Sequence, residues 1–286
     1  MKIYFATHAT TTDNEAKISS GWNDVGLSDL GIQQAKEMGE RFKNMKIDLI
    51  CCSDLKRAVD TVKIAFEDKI PVIIDKRLRE LDYGDFEGKP SEIVEPMKKE
   101  YIKEPFPNGE SYEQAMIRVH DFFSEITEKY PNKTILIVGH RVTQYGLDTL
   151  AGKTLLGCLE KPFKWQPYWE YELPKIMGFH ESVVPQVFDG KISTWRLRDH
   201  KLKVGDNVVF ENSQTGEIFG YGEMTEVAET TVGKIDLKDK KNYKTYENRQ
   251  ELIEAFKRHN PAYEINNDTP VFAYTYKFRK NKAYEK

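Results

Sequence analysis

Two apolar runs that each stop at a histidine constrain this 286-residue chain more than any other feature. Tyr4-Phe5-Ala6-Thr7 leads into His8, and Ile135-Leu136-Ile137-Val138-Gly139 leads into His140. Short apolar runs bounded by turn residues read as buried strands. Between them, the runs 47–52 and 72–74 read as further strands. Segments of helical period alternate with these strands. Ser28 stands as an N-cap ahead of Leu30, Ala35, Met38 and Phe42, and Ser53 ahead of Ala58, Val62, Ala65 and Phe66. A helix over 91–103 would put Ile93, Val94 and Met97 on one face, and 142–151 also reads as helical. Ser111 opens a longer helix with Ala115, Val119, Phe122 and Ile126 inward. Strands alternating with amphipathic helices predict an α/β fold, a three-layer sandwich around a mostly parallel sheet. In such a sheet the strands' carboxyl ends share one edge, and ligands bind there.

The polar groups expected at that edge form a coherent chemical set. His8 follows the first strand and Arg57 lies one turn into the helix after the second. Glu80 sits in the loop after the third, and His140 and Arg141 follow the strand at 134–138. A neutral imidazole can attack and carry a phosphoryl group. Guanidinium groups and helix N-termini suit its spread negative charge. A carboxyl group can protonate the leaving alkoxide. Asp82 and Asp85 compete with Glu80 for the acid role, and Glu80 is favoured by its spacing.

Residues 1 to about 150 resemble the histidine phosphatase superfamily, which includes cofactor-dependent phosphoglycerate mutase. The resemblance is carried by Thr7-His8-Ala9 with Thr11 and Asn14, and by Gly26-Leu27-Ser28 with Gly31 and Ala35. It continues in Ser53-Asp54-Leu55-Lys56-Arg57-Ala58, Leu78-Arg79-Glu80 with Gly84 and Glu87-Gly88, Gly109-Glu110-Ser111, and Val138-Gly139-His140. It implies His8 as the nucleophile that becomes phosphohistidine, and Glu80 as general acid and then base. It also implies Arg57, His140 and Asn14 as phosphate ligands. The family's first motif reads Arg-His-Gly, and Thr7 stands here where the arginine would be, at the phosphate site. Arg141 is a candidate to restore that guanidinium.

The second half changes character. Residues 161–173 are dense in aromatics (Phe163, Trp165, Tyr168, Trp169, Tyr171), read as a last strand packing on the first domain. Pro174 marks the boundary, giving domains 1–174 and 175–286. Beyond it, a helix is expected over 181–188 and another over 249–259, with strands at 207–211, 218–227 and 271–278. Short strands separated by turns predict a small β-barrel. The half resembles the ASCH domain, a relative of the PUA fold, through Asp189-Gly190-Lys191 with Thr194 and Arg196, and through Lys203-Val204-Gly205-Asp206. Some members of that family bind RNA, and others hydrolyse the amide of N4-acetylcytidine with a Lys, a Thr and a Glu. The resemblance implies Lys191 and Thr194 for the first two, with Glu247 as candidate for the third. The tail after Phe278, rich in Lys and Arg, is expected to be disordered.

Charge excludes some partners. The chain carries a net −3, and residues 175–286 hold 19 Lys and Arg against 17 Asp and Glu, a weak footprint for RNA. No apolar run reaches bilayer length, so no membrane partner is expected. The N-terminus reads as a strand and not as a signal peptide. Cys51, Cys52 and Cys158 have neither disulfide nor metal-ligand spacing, so a reducing cytoplasm, no metal and no cofactor are expected.

The reading favoured is a phosphomonoester hydrolase acting on a small phosphorylated metabolite, such as a nucleotide or modified nucleoside phosphate. The alternatives are a degenerate phosphatase scaffold carrying a nucleotide- or RNA-binding module, and a bifunctional enzyme with a second, N4-acetylcytidine amidohydrolase activity. A mutase is disfavoured, because it must retain a bisphosphate in a closed site.

Overall fold

The computed structural model describes residues 1–281. The chain divides into two compact units, 1–173 with 215–217, and 174–214 with the residues from 218 onward.

The first unit runs β1 (Lys2–Thr7), α1 (Thr12–Glu15), β2 (Ile18–Ser19), α2 (Asp29–Phe42), β3 (Leu49–Cys52), α3 (Lys56–Phe66) and β4 (Val72–Ile74). It continues through β5 (Lys89–Pro90), α4 (Ser91–Met97), α5 (Tyr112–Lys129), β6 (Ile135–Gly139), α6 (Arg141–Leu150), α7 (Leu155–Glu160) and β7 (Trp169–Glu172). The main sheet has the order β4-β3-β6-β1-β7. Its first four strands are parallel, and β7 runs antiparallel to β1 at the edge. Alternation along β1 turns Tyr4 and Ala6 to one face, where Ile50, Cys52, Leu136 and Val138 join Met38 and Phe42 of α2 and Ala58, Val62 and Phe66 of α3. Ile3 and Phe5 point the other way and are also fully buried, so both faces of the sheet are covered.

The ladder fixes the site. Ala6 pairs with Val138 and Thr7 with Gly139, and the His8 amide donates to the Gly139 carbonyl at 3.0 Å. Parallel strands in this register must end level, so the two histidines leave the sheet side by side. Gly31 lets α2 close on the loop after His8. A methyl group there would lie 1.9 Å from the Thr10 carbonyl oxygen.

Several local readings need correction. Ser53 does not cap α3. The helix starts at Lys56 behind Leu55, which makes no side-chain cap. The Ser53 hydroxyl is bonded to His140 instead. The helix expected over 91–103 stops as α4 at Met97, one residue after the proline inside it. Helix α7, capped by Thr154, is an addition to the expected elements. The aromatic run becomes strand only from Trp169.

The second unit runs β8 (Lys175–Phe179), α8 (Val184–Phe188), β9 (Ser193–Arg196), β10 (Asn207–Asn212), β11 (Glu217–Thr231), α9 (Arg249–His259) and β12 (Pro270–Lys280). Its five-stranded sheet has the order β8-β10-β11-β12-β9 and curls into a half-barrel around Met177, Phe179, Phe210, Phe219, Tyr274 and Tyr276. The expected barrel therefore stays open between β8 and β9. Strand β9 has four residues, all paired with β12. Across the seam a side chain takes the place of a ladder: Arg196 Nη2 donates to the Gly178 carbonyl at 2.7 Å. Strand β12 extends through Lys280, two residues beyond Phe278. Residues 282–286 of the tail read as disordered lie outside the described residues.

Candidate active site

The rings of His8 and His140 stand 5.0 Å apart, centroid to centroid, on the wall of a cavity of about 870 Å³. Thr7, Asn14, Glu80 and Arg141 share its wall. The loop after β1 is pinned from behind: the Ala9 amide donates to Thr61 Oγ1 and the Thr10 amide to Gln34 Oε1.

His8 is set in one chemical form. Its Nδ1 lies 2.8 Å from the Ala9 carbonyl oxygen. A carbonyl only accepts, so Nδ1 carries the proton. Burial, and then the Arg57 charge, push the ring's pKa down to about 3. A neutral ring with a proton on Nδ1 keeps a lone pair on Nε2, the requirement for a nitrogen nucleophile at neutral pH.

His140 is held differently. Its Nε2 is 2.7 Å from Ser53 Oγ, which also accepts the Leu55 amide. Burial, and then Arg57, hold this ring well below the usual histidine range, so it too is neutral. Its Nδ1 is buried with no partner among the described residues. The tautomer in which Ser53 donates to Nε2 places the ring's proton on Nδ1.

Glu80 sits at the start of α6. Its Oε2 accepts the Arg141 amide at 3.1 Å, and its Oε1 accepts the Val142 and Leu81 amides at 3.2 and 2.9 Å. Arg118 clamps the preceding chain by donating to the carbonyls of Arg77, Arg79 and Glu80. Asp82 accepts from the Gly84 amide, and exposed Asp85 from Asn108. Neither forms part of the wall. Asn14 uses Oδ1 on the Thr11 amide in a capping box, so its Nδ2 is the group that can reach inward.

Two cations differ from their expected posts. Arg57 is buried and its charge acts on both imidazoles, but its Nη groups donate to the Asn23 and Gly21 carbonyls and it is not part of the wall. The Arg141 guanidinium lies 4.5 Å from the Phe163 ring centroid and 5.0 Å from that of Tyr145, and it donates to the Tyr145 hydroxyl at 2.8 Å. The rings therefore tie it into the wall. Three contributors are set by tertiary contacts: Ser53 as partner of His140, and Thr61 and Gln34 as anchors of the loop. Only Ser53 had a signal, its place in the Ser53-to-Arg57 run.

The second unit has its own cavity of about 510 Å³ at the open seam. Lys191 and Thr194 are buried in its wall. Lys191 Nζ donates to both the carbonyl and the Oδ1 of Asn242. Burial, and then the Arg196 charge, push the lysine down to about 7. Arg196 lies over the Phe179 ring at 4.8 Å, with its Nε buried and without a partner among the described residues. His180 and His259 meet on this wall with ring centroids 5.0 Å apart. Glu247 does not join them. It is exposed, 3.3 Å from Lys238 Nζ, and no carboxylate among the described residues lines the cavity. The stretch before α9 offers no fixed residue from which to count to a third position.

Among the described residues no helix is long and apolar enough to cross a membrane, and all three cysteines are buried free thiols.

The first unit is thus an α/β protein with two neutral imidazoles and a carboxylate gathered where parallel strands end. The family model of the histidine phosphatase superfamily (branch 1) matches residues 3–151, and the chain belongs to that family. It is similar to the "Uncharacterized phosphatase PhoE" of Bacillus subtilis, with 35% identity over 148 residues, covering 51% of this chain and 75% of that protein. It is 30% identical to the "Probable phosphoglycerate mutase GpmB" of Yersinia pestis over 149 residues, 49% of this chain and 69% of that one. Among solved structures, Bacillus stearothermophilus YhfR superposes with a TM-score of 0.54 at 26% identity, over 60% of this chain and 90% of that one.

Proposed function

We propose that the first unit hydrolyses phosphate monoesters through a phosphohistidine on His8. The observation that carries this reading is the state of the His8 ring: neutral, with its proton committed to the Ala9 carbonyl and Nε2 left to attack. In the scheme, His8 Nε2 bonds to phosphorus and the ester P–O bond breaks. Protonated Glu80 gives its proton to the departing alkoxide. The resulting carboxylate takes a proton from a water, and that water attacks the phosphohistidine and releases inorganic phosphate with His8 restored. The His140 Nδ1–H and Asn14 Nδ2 donate to the phosphoryl oxygens. Arg57 adds positive charge from outside the wall. Loss of the family arginine at Thr7 removes one direct ligand. The Arg141 guanidinium, stacked between two rings, acts on the leaving-group side and does not replace it. The direct test is phosphate release from a series of monoesters. Release above the buffer rate is expected, and none from any ester would remove the reading.

The second unit is read as an ASCH-like module, related to the PUA fold, that binds a small anion such as a nucleotide. The support is a wall with Lys191, Arg196, Lys244 and Arg258 and no described carboxylate. Hydrolysis of an amide is not part of this reading, because Glu247 lies outside the cavity. Binding an anion stabilises the protonated form of Lys191, so affinity falls as pH rises through about 7. Titration of the whole chain with a nucleoside monophosphate at pH 6 and pH 8 should show weaker binding at pH 8. Lys191→Gln should flatten that dependence. Equal affinity at both pH values, with Lys191 intact, would contradict the role given to Lys191. The His8→Ala/Trp165→Ala background keeps turnover and base stacking in the first unit out of the measurement.

A further inference from the structure

The cavity at His8 is far larger than a phosphoryl group. At about 870 Å³ it lies in the range of roughly 300–1,000 Å³ that accommodates whole small-molecule ligands. What lines it beyond the histidines therefore selects the leaving group. Two large aromatics, Phe163 and Trp165, sit on this wall with 43% and 61% of their surface exposed. They belong to the irregular stretch between α7 and β7, so no ladder dictates where they point. Each ring is steadied by a guanidinium: Arg141 lies 4.5 Å from the Phe163 centroid and Arg41 5.7 Å from that of Trp165. Arg41 also donates to the Pro167 carbonyl, which ties the stretch to α2. Rings held this way present apolar surface to a cavity and leave it uncovered, where core aromatics of the same unit are buried.

The charges of the wall point the same way. Away from Glu80, which works at the phosphoryl end, its cations (Arg41, Lys98, Arg141, Lys161) exceed its carboxylates (Glu37, Glu95, Glu160) by one. Lys98 is paired with Glu95. A leaving group with its own carboxylate, as in a phosphorylated hydroxy acid, would meet an excess of a single cation, with Arg41 and Arg141 already set against the rings. A neutral, flat leaving group meets both conditions.

Resting on the hydrolase reading, we infer that this cavity takes monophosphate esters whose alcohol carries an uncharged aromatic ring system, a nucleoside above all, with the ring packed on Trp165 and Phe163. Stacking of a base on an aromatic side chain contributes enough for roughly a tenfold preference.

The test compares adenosine 5′-monophosphate with ribose 5-phosphate, which share a scissile bond to the primary 5-oxygen of a ribose and differ in the base. Wild type should show kcat/KM at least roughly tenfold higher for the nucleotide. In Trp165→Ala and Phe163→Ala that ratio should fall toward one. Equilibrium binding of the same two compounds to His8→Ala reads the preference without chemistry. To exclude the second unit's cavity, it is repeated in His8→Ala/Trp165→Ala. A binding ratio that persists without turnover in wild type would uphold ring recognition while removing the hydrolase reading. A ratio near one in wild type, or one that Trp165→Ala and Phe163→Ala leave unchanged, would overturn the inference.

Discussion

His8→Ala should lower phosphate release by at least about 10⁴-fold, with the fold retained. Removing the nucleophile of a catalytic unit that acts through a covalent intermediate costs on this order or more, and a 10⁴-fold loss corresponds to about 5.5 kcal/mol of transition-state stabilisation. The structural cost is small by comparison. The His8 side chain gives up one hydrogen bond, to the carbonyl of the next residue. The backbone that positions it is held by the ladder to β6 and by Thr61 and Gln34. Thermal denaturation should therefore differ from wild type by no more than a few degrees. Residual activity within tenfold of wild type would move the nucleophile elsewhere.

Glu80→Gln should reduce release of an alkyl alcohol from its phosphate by about 10²–10⁴-fold, the usual contribution of a general acid. The loss should shrink when the leaving group is a phenol with electron-withdrawing substituents, which departs without being handed a proton. This leaving-group dependence separates an acid from a residue that only positions others. Glu80 does also position, since its carboxylate receives two amides from the first turn of α6 and one from Leu81. A glutamine amide keeps one acceptor oxygen there, so stability should drop by only about 1 kcal/mol. An equal loss across all leaving groups would assign Glu80 to architecture and reopen the question of the proton donor.

The parts of this site that sequence reveals are those fixed by backbone register. Apolar runs that stop at His8 and His140 mark two strand ends on one sheet edge, and the unbroken apolar run Ile3–Ala6 marks a strand buried on both faces. The N-cap serines at 28 and 111 are local, and both cap as expected. Ser53 has the same local signal, but the tertiary bond to His140 takes its hydroxyl. Arg57 was legible as a cation near the histidines. That its Nη groups would be taken by the carbonyls of Gly21 and Asn23 depends on how a loop more than thirty residues earlier folds back.

The aromatic stretch before β7 shows the same limit. Trp169 and Tyr171 pair with β1, whereas Phe163 and Trp165 line a cavity, and composition gives both groups the same appearance. In the second unit the His180–His259 pair joins the residue after β8 to the end of α9, a contact no periodicity encodes. The open seam follows from the shortness of β9, which was not among the expected strands.

The measurement that bears most directly on the account is chemical quenching of the wild-type enzyme during turnover, followed by mapping of the bound phosphoryl group. The account predicts an acid-labile, base-stable phosphoryl group on His8 that forms and decays at rates matching turnover. Turnover with no phosphorylated His8 at any quench time, or with the label on another residue, would contradict it.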